Sequence, residues 1–76
     1  MMIDDLKALL KKAAPAIDMT KVTEDTRLYE DLNLDSLAVM MFSMEIEDAY
    51  KFKFTEPVQF KTVRDVCEYL TKKGIA

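Results

Sequence analysis

The sequence predicts a small all-α fold: a four-helix bundle with a long loop between helices 1 and 2 and a short third helix. Its 76 residues are enough for one small domain, which we expect to span residues 1–76. Half of the residues are hydrophobic, a share that suits a globular core and is too high for a disordered chain. Periodic apolar positions and helix-ending residues then divide the chain into four helical segments.

The first helix is predicted from Met2 to about Ala14. Its buried face consists of residues three or four positions apart, namely Ile3, Leu6, Leu10 and Ala13, with Leu9 beside them. Pro15 biases the preceding residue away from helical geometry and so ends the helix. A loop of about twenty residues follows, and a loop of this length in a small domain is expected to be functional. Its apolar residues are expected to anchor it to the core: Ile17, Val22, Leu28, Leu32 and Leu34.

The second helix is predicted from Ser36 to Tyr50. Its buried stripe is expected to contain Leu37, Met40 and Met44, with Phe42, Ile46 and Tyr50 as further candidates. A short third helix is predicted near Thr55, with Pro57 in its first turn. The last helix is expected to begin at Thr62, because Thr62 and Asp65 have the spacing of a capping box. Its apolar face is formed by Val63, Val66, Cys67 and Leu70, so Cys67 is expected to be a core residue and not a reactive thiol.

Composition excludes several classes of protein. The chain has one cysteine and no histidine, so it can form neither an internal disulfide nor the usual zinc sites. Without histidine, acid–base catalysis near neutral pH would need a strongly shifted carboxylate or lysine, which disfavours an enzyme. No apolar run approaches the roughly 20 residues that span a membrane. The N-terminal segment MMIDDLKALLKK carries acids where a signal peptide carries bases, so a cytosolic location is the default expectation.

The net charge of −3 is unevenly distributed. Residues 24–48 contain eight acids and one base, Arg27, and so carry a charge of −7, whereas the rest of the chain carries +4. An acidic middle argues against binding of nucleic acid there. It is compatible with a protein partner that has a basic patch, and equally with an ordinary solvated surface.

The segment Asp31–Leu37, DLNLDSL, places a serine at the start of the second helix. Asp31, Asn33 and Asp35 alternate as in an EF-hand calcium loop, but Ser36 stands where that loop needs glycine and Phe42 where it needs glutamate. We therefore expect no metal site. Taken alone, Asp35 and Ser36 are typical helix caps.

The order of features nevertheless resembles the acyl carrier proteins and, more broadly, the phosphopantetheine-binding carrier domains. The resemblance runs from Ile3 to about Lys72 and is strongest over LYEDLNLDSL, residues 28–37, and KTVRDVCEYL, residues 61–70. It implies that Ser36 carries 4′-phosphopantetheine, which a phosphopantetheinyl transferase adds from coenzyme A. It also implies that the terminal thiol holds acyl groups as thioesters and delivers them to acyl-transferring and acyl-modifying synthase enzymes. Asp35 would cap the helix or present a charge to such enzymes, and Asp31 would order the loop or act in recognition.

The sequence departs from this family in two places. Asn33 occupies a position that is usually glycine, and asparagine is among the best non-glycine residues for a positive φ. Carriers of the fatty-acid type usually have acids directly after Asp-Ser-Leu, whereas here Ala38, Val39 and Met41 fill those turns. A helix that is apolar all round either packs more deeply or presents a hydrophobic contact surface, and we favour the second. Met40 is expected to be a core residue.

The residues predicted to contact partners are Leu37, Met41, Met44, Glu45, Glu47 and Asp48. An acyl chain could be sheltered between helices, among Leu32, Met40, Ile46, Phe54 and Val63. The alternative function is an unmodified interaction module of the same fold that binds partners through the Leu37–Met44 surface. A hydrolase or isomerase that uses Ser36 is disfavoured because no histidine is available as its base. A monomer is expected for a carrier that visits several enzymes.

Overall fold

Helices α1 (Met2–Ala13), α2 (Ser36–Tyr50) and α3 (Val63–Lys72) form the protein in the computed structural model, which describes residues 2–56 and 58–75. One 3₁₀ turn, Met19–Lys21, lies in the loop between α1 and α2. Within these described ranges the chain forms no strand, and its β-type pairing is a single antiparallel bridge between Arg27 and Thr62. The predicted all-α class is confirmed. No helix in the described part of the chain is long and apolar enough to cross a membrane.

The short helix predicted near Thr55 is not confirmed, and neither is the count of four helices. Residues 52–56 and 58–61 form no helix, and Pro57 lies outside the described residues. α2 ends where Lys51 adopts a left-handed conformation, with φ 57°. Beyond it, the backbone N–H of Phe54 donates to a side-chain oxygen of Glu47 (2.8 Å) and so takes no part in helical hydrogen bonding.

An aromatic cluster attaches this segment to α3. The ring centroids of Phe52 and Phe54 lie 4.8 Å apart, and those of Phe54 and Phe60 both lie within 6 Å of the Tyr69 ring on α3. Residues two positions apart in an extended chain point to the same side, which lets Phe52 and Phe54 pack together. Aromatic packing on α3 thus accounts for the path that the segment takes without a helix.

The core lies where α1 packs against α2 and α3. Its fully buried side chains include Leu6 and Leu10 of α1, Phe42 and Ile46 of α2, and Val63, Val66 and Leu70 of α3. The predicted faces of the first and last helices are therefore confirmed, and Cys67 is half-buried against this core. The capping box at the start of α3 is also confirmed, since Thr62 and Asp65 exchange both of its hydrogen bonds.

The buried stripe predicted for α2 is wrong in three positions. Leu37, Met40 and Met44 are 58%, 53% and 57% exposed, whereas Phe42 and Ile46 are buried. The first half of α2 is apolar on almost every side, so periodicity alone does not identify which face meets the core. Packing against α1 selects the face that contains Phe42 and Ile46, and Met40 is consequently a surface residue.

The long loop is anchored as predicted, because Val22, Leu28 and Leu34 are buried and Ile17 and Leu32 pack partly against the core. It is also hydrogen-bonded to the start of α3, which the sequence did not predict. Leu28 N donates to Lys61 O (2.8 Å), Val63 N to Thr26 O (3.1 Å), and Arg64 N to Glu24 O (2.8 Å). These bonds fix the residues that lead into α2 and thereby position its first turn.

Candidate functional site

The site begins with the turn that precedes α2. Asn33 has φ 54°, the conformation for which asparagine is a suitable substitute for glycine. An asparagine tolerates this left-handed conformation better than other non-glycine residues do. The turn brings Leu34 into the core and leaves the next residues, Asp35 and Ser36, exposed at the surface.

Asp35 is the N-cap of α2, as predicted. Its backbone is extended, and its Oδ1 accepts a hydrogen bond from the backbone N–H of Ala38 (2.8 Å). Val39 N then donates to Asp35 O (3.1 Å), which closes the first turn of the helix. The carboxylate of Asp35 also lies at the positive end of the helix dipole, a favourable location for an anion.

Ser36 is the first residue of α2, and it is exposed. Within the described ranges, the backbone N–H groups of Ser36 and Leu37 have no acceptor, as is usual in the first turn of a helix. A phosphodiester on Ser36 Oγ would lie beside these unpaired donors and the positive helix end. An exposed hydroxyl with free N–H groups next to it therefore fits covalent attachment of a phosphate-bearing group.

Asp31 orders the loop in front of this turn. Its Oδ2 accepts from the backbone N–H of Arg27 (2.8 Å), and its Oδ1 forms an ion pair with the Arg27 guanidinium (3.0 Å). These bonds hold the pKa of the Asp31 carboxyl below its ordinary value. Of the two roles considered for Asp31, loop ordering is thus the one for which the structure provides contacts.

The exposed face of α2 is apolar next to Ser36 and acidic further along. Leu37, Met40, Met41 and Met44 are between 42% and 58% exposed, and we call these four residues the apolar face. Asp48 is exposed and Glu45 is half-exposed near the C-terminal end of the helix. Glu47 differs from both, because its side chain accepts the hydrogen bond from Phe54 N.

A surface cleft of about 530 Å³ lies on another side of α2. It runs between the loop at residues 27–30, α2 and the segment at residues 58–62, and its lining includes Tyr29, Val39, Ser43, Gln59, Phe60 and Lys61. Sequence reasoning missed this cleft, since the residues come from three separate segments.

Cys67 shows no sign of a reactive thiol. It is half-buried in α3, and burial raises the pKa of its thiol above the ordinary value. A raised thiol pKa reduces the thiolate fraction near neutral pH and with it the nucleophilicity. This agrees with the prediction that Cys67 is a core residue.

These features define a small helical protein in which an exposed serine, Ser36, begins a helix that has one face exposed to solvent. The family described as phosphopantetheine attachment site matches residues 4–70, which is most of the chain. The acyl carrier protein of Onion yellows phytoplasma (strain OY-M) is 36% identical over 74 residues, covering 95% of this chain and 96% of that protein.

Two further relatives support the same assignment. The acyl carrier protein of Aster yellows witches'-broom phytoplasma (strain AYWB) is 39% identical over 59 residues, or 75% of this chain and 78% of that protein. The acyl carrier protein of Chlamydia caviae is 34% identical over 74 residues, or 93% of this chain and 95% of that protein. The chain belongs to the phosphopantetheine attachment site family, and the resemblance seen in its sequence is confirmed.

Proposed function

We propose that this protein is an acyl carrier that bears 4′-phosphopantetheine on Ser36 Oγ. The observation that carries the proposal is the exposed Ser36 at the first position of α2, inside the segment that matches the family. When bound, the group supplies a terminal thiol that holds acyl groups as thioesters. The chain's own residues provide the attachment point and the first-turn N–H groups that would be available to the phosphate, while Asp35 keeps that turn formed.

The carrier itself performs no catalysis in this proposal. A phosphopantetheinyl transferase would activate the Ser36 hydroxyl, because the chain has no histidine to act as its base. Acyl-transferring and acyl-modifying synthase enzymes would then act on the thioester, in the cytosol. Residues 1–76 would form one carrier domain, in which the non-helical residues 52–56 and 58–61 take the place of the short third helix of a four-helix carrier bundle.

The apolar face of α2 is the proposed docking surface for these enzymes. Its four side chains are about half exposed, which amounts to roughly 400 Å² and falls in the size range of functional surface patches. Interface cores are enriched in methionine, whose flexible thioether adapts to different partners. Glu45 and Asp48 would meet basic residues of the partner, while Glu47 also holds Phe54 in place.

The same face is poorly suited to self-association, so we propose a monomer. Two copies would together bury roughly 800 Å², which is below the ~1,000 Å² expected of a stable interface.

Intact-protein mass spectrometry tests the attachment. The protein is incubated with coenzyme A and a broad-specificity phosphopantetheinyl transferase, and one added phosphopantetheine is expected. The chain contains two serines, Ser36 and Ser43, both in α2. Ser36→Ala should gain no mass, whereas the matched variant Ser43→Ala should be modified like the parent. A folded parent that stays unmodified by an active transferase would favour the unmodified interaction module instead.

A further inference from the structure

The acids in the middle of the chain are not equally free to attract a partner. In the part of the chain that the structure describes, Glu45 and Asp48 of α2 form no ion pair. Glu30 and Asp31 of the loop, in contrast, both pair with Arg27, and we call these three residues the arginine cluster. One positive and two negative charges leave a formal charge of −1 on the cluster. The loop that precedes α2 therefore attracts a basic surface less than its acids alone would.

The guanidinium of Arg27 holds both acids of the cluster at once. Its Nη2 donates to Asp31 Oδ1 (3.0 Å) and its Nε to Asp31 Oδ2 (3.3 Å), while Nη1 donates to Glu30 Oε2. The rigid, planar fork of an arginine suits this arrangement, and a lysine has no such fork. The backbone of the loop is held separately, because Asp31 N and Leu32 N donate to Arg27 O (3.0 and 3.3 Å) and Arg27 N donates to Asp31 Oδ2 (2.8 Å). The loop is therefore expected to keep its fold without the guanidinium.

The arginine cluster lies beside the first turns of α2. Arg27 and Glu30 line the surface cleft of about 530 Å³ together with Val39 of α2. Val39 and Met40 follow Ser36 by three and four positions, so they flank it on the surface of the helix. Met40 belongs to the apolar face. An enzyme that reaches Ser36 thus meets the apolar face on one side and the arginine cluster on the other.

We propose that Arg27 determines which enzymes reach Ser36: because it engages the two acids of its cluster, partners with an apolar contact surface are accepted and partners that rely on a basic patch facing the loop are disfavoured. Exposed ion pairs add little to stability, and the Arg27 and Asp31 side chains are 55% and 40% exposed. The main consequence of the cluster is therefore the charge that a partner meets. Between Ser36 and Met44 α2 contains no acid that would replace the engaged ones. This inference rests on the proposed function, because it concerns the partners of the same site.

An NMR titration with pentalysine, a mimic of a basic patch, tests the inference. The peptide is added to the isotope-labelled protein, and its Kd is obtained from the backbone amide signals of residues 30–37. Arg27→Gln should lower this Kd roughly threefold to tenfold at low salt, as expected for one additional exposed negative charge. Added salt should abolish the gain, because exposed charges are screened. The titration does not require modification of Ser36, so its failure is distinguishable from failure of the attachment test.

Arg64→Gln is the matched control. It removes the same charge and releases Asp25, and neither residue lines the cleft beside α2, so the Kd measured at residues 30–37 should stay nearly unchanged. Adding Glu30→Gln to Arg27→Gln removes one of the released acids and should reverse most of the gain. Arg27→Lys keeps the charge without the planar fork, so it should give a smaller gain and serves as a second variant.

Two outcomes would overturn the inference. An unchanged Kd for folded Arg27→Gln and Arg27→Lys would show that the cluster does not withhold its acids from a basic partner. Equal gains for Arg27→Gln and Arg64→Gln would show that Arg27 acts only through the net charge of the protein.

Discussion

Replacing Asp35 separates the two roles considered for this residue, helix capping and presentation of a charge. Asp35→Ala removes the 2.8 Å hydrogen bond to Ala38 N and should lower the free energy of unfolding by about 1 kcal/mol. Loss of the negative charge at the helix start adds about 0.3–1 kcal/mol. Asp35→Asn keeps an oxygen for the cap and removes only the charge, so it should cost less than half as much as alanine.

Thermal and urea unfolding measure this difference directly. In a domain of this size each kcal/mol corresponds to roughly 4–8 °C in Tm, so the alanine variant should melt well below the asparagine variant. The kcat/KM of the transferase is measured on the same three proteins. If Asp35→Asn is as stable as the parent but is modified more slowly at Ser36, the transferase recognises the negative charge of Asp35. Equal destabilisation by alanine and asparagine would refute the capping argument, because the oxygen would then contribute nothing.

Three further predictions concern the loop, the start of α3 and the apolar face. Asn33→Gly should leave the free energy of unfolding almost unchanged, whereas Asn33→Val should lower it by about 1–2 kcal/mol, because valine is strained at φ 54°. Equal stability of the two variants would contradict the need for a residue that tolerates the left-handed conformation. Asp65 accepts hydrogen bonds from the backbone N–H groups of Lys61 and Thr62, which lower the pKa of its carboxyl. The ionised Asp65 carboxylate therefore contributes to stability above its unfolded pKa of about 3.9, and this contribution is lost as the pH falls through the folded pKa. Urea titrations at pH 7 and pH 3 should show a smaller change in the free energy of unfolding for Asp65→Asn than for the parent. Oxidation of the exposed Met40, Met41 and Met44 to sulfoxides makes the apolar face polar and should slow modification of Ser36 more than added salt slows it for the unoxidised parent. A larger effect of salt than of oxidation would indicate docking mainly through charge.

The sequence predicted the features that depend on local chemistry. The bounds of α2 and the capping box of α3 follow from residue preferences over a few positions, and both are confirmed. The φ of 54° at Asn33 agrees with the tolerance of asparagine for a positive φ. The candidate site could be predicted for the same reason, because the turn, the cap and the serine all lie within residues 31–37.

The features that sequence reasoning missed depend on tertiary contacts. The exposed side of α2 is decided by α1, because the apolar residues of α2 occur on several faces at once. The absence of the helix predicted near Thr55 is accounted for by aromatic packing on Tyr69, which is distant in sequence from that position. The cleft combines three distant segments and has no signature along the chain.

The backbone hydrogen bonds between residues 24–28 and residues 61–64 have a consequence for the order of events in the cell. Contacts so distant along the chain form late in folding, after loop closure. During synthesis α3 is made after the loop, so the loop that precedes Ser36 has no partner for these bonds until α3 has emerged from the ribosome. Ser36 therefore reaches its final setting only once α3 has been made, and the surface proposed to be recognised by a transferase is complete no earlier than that.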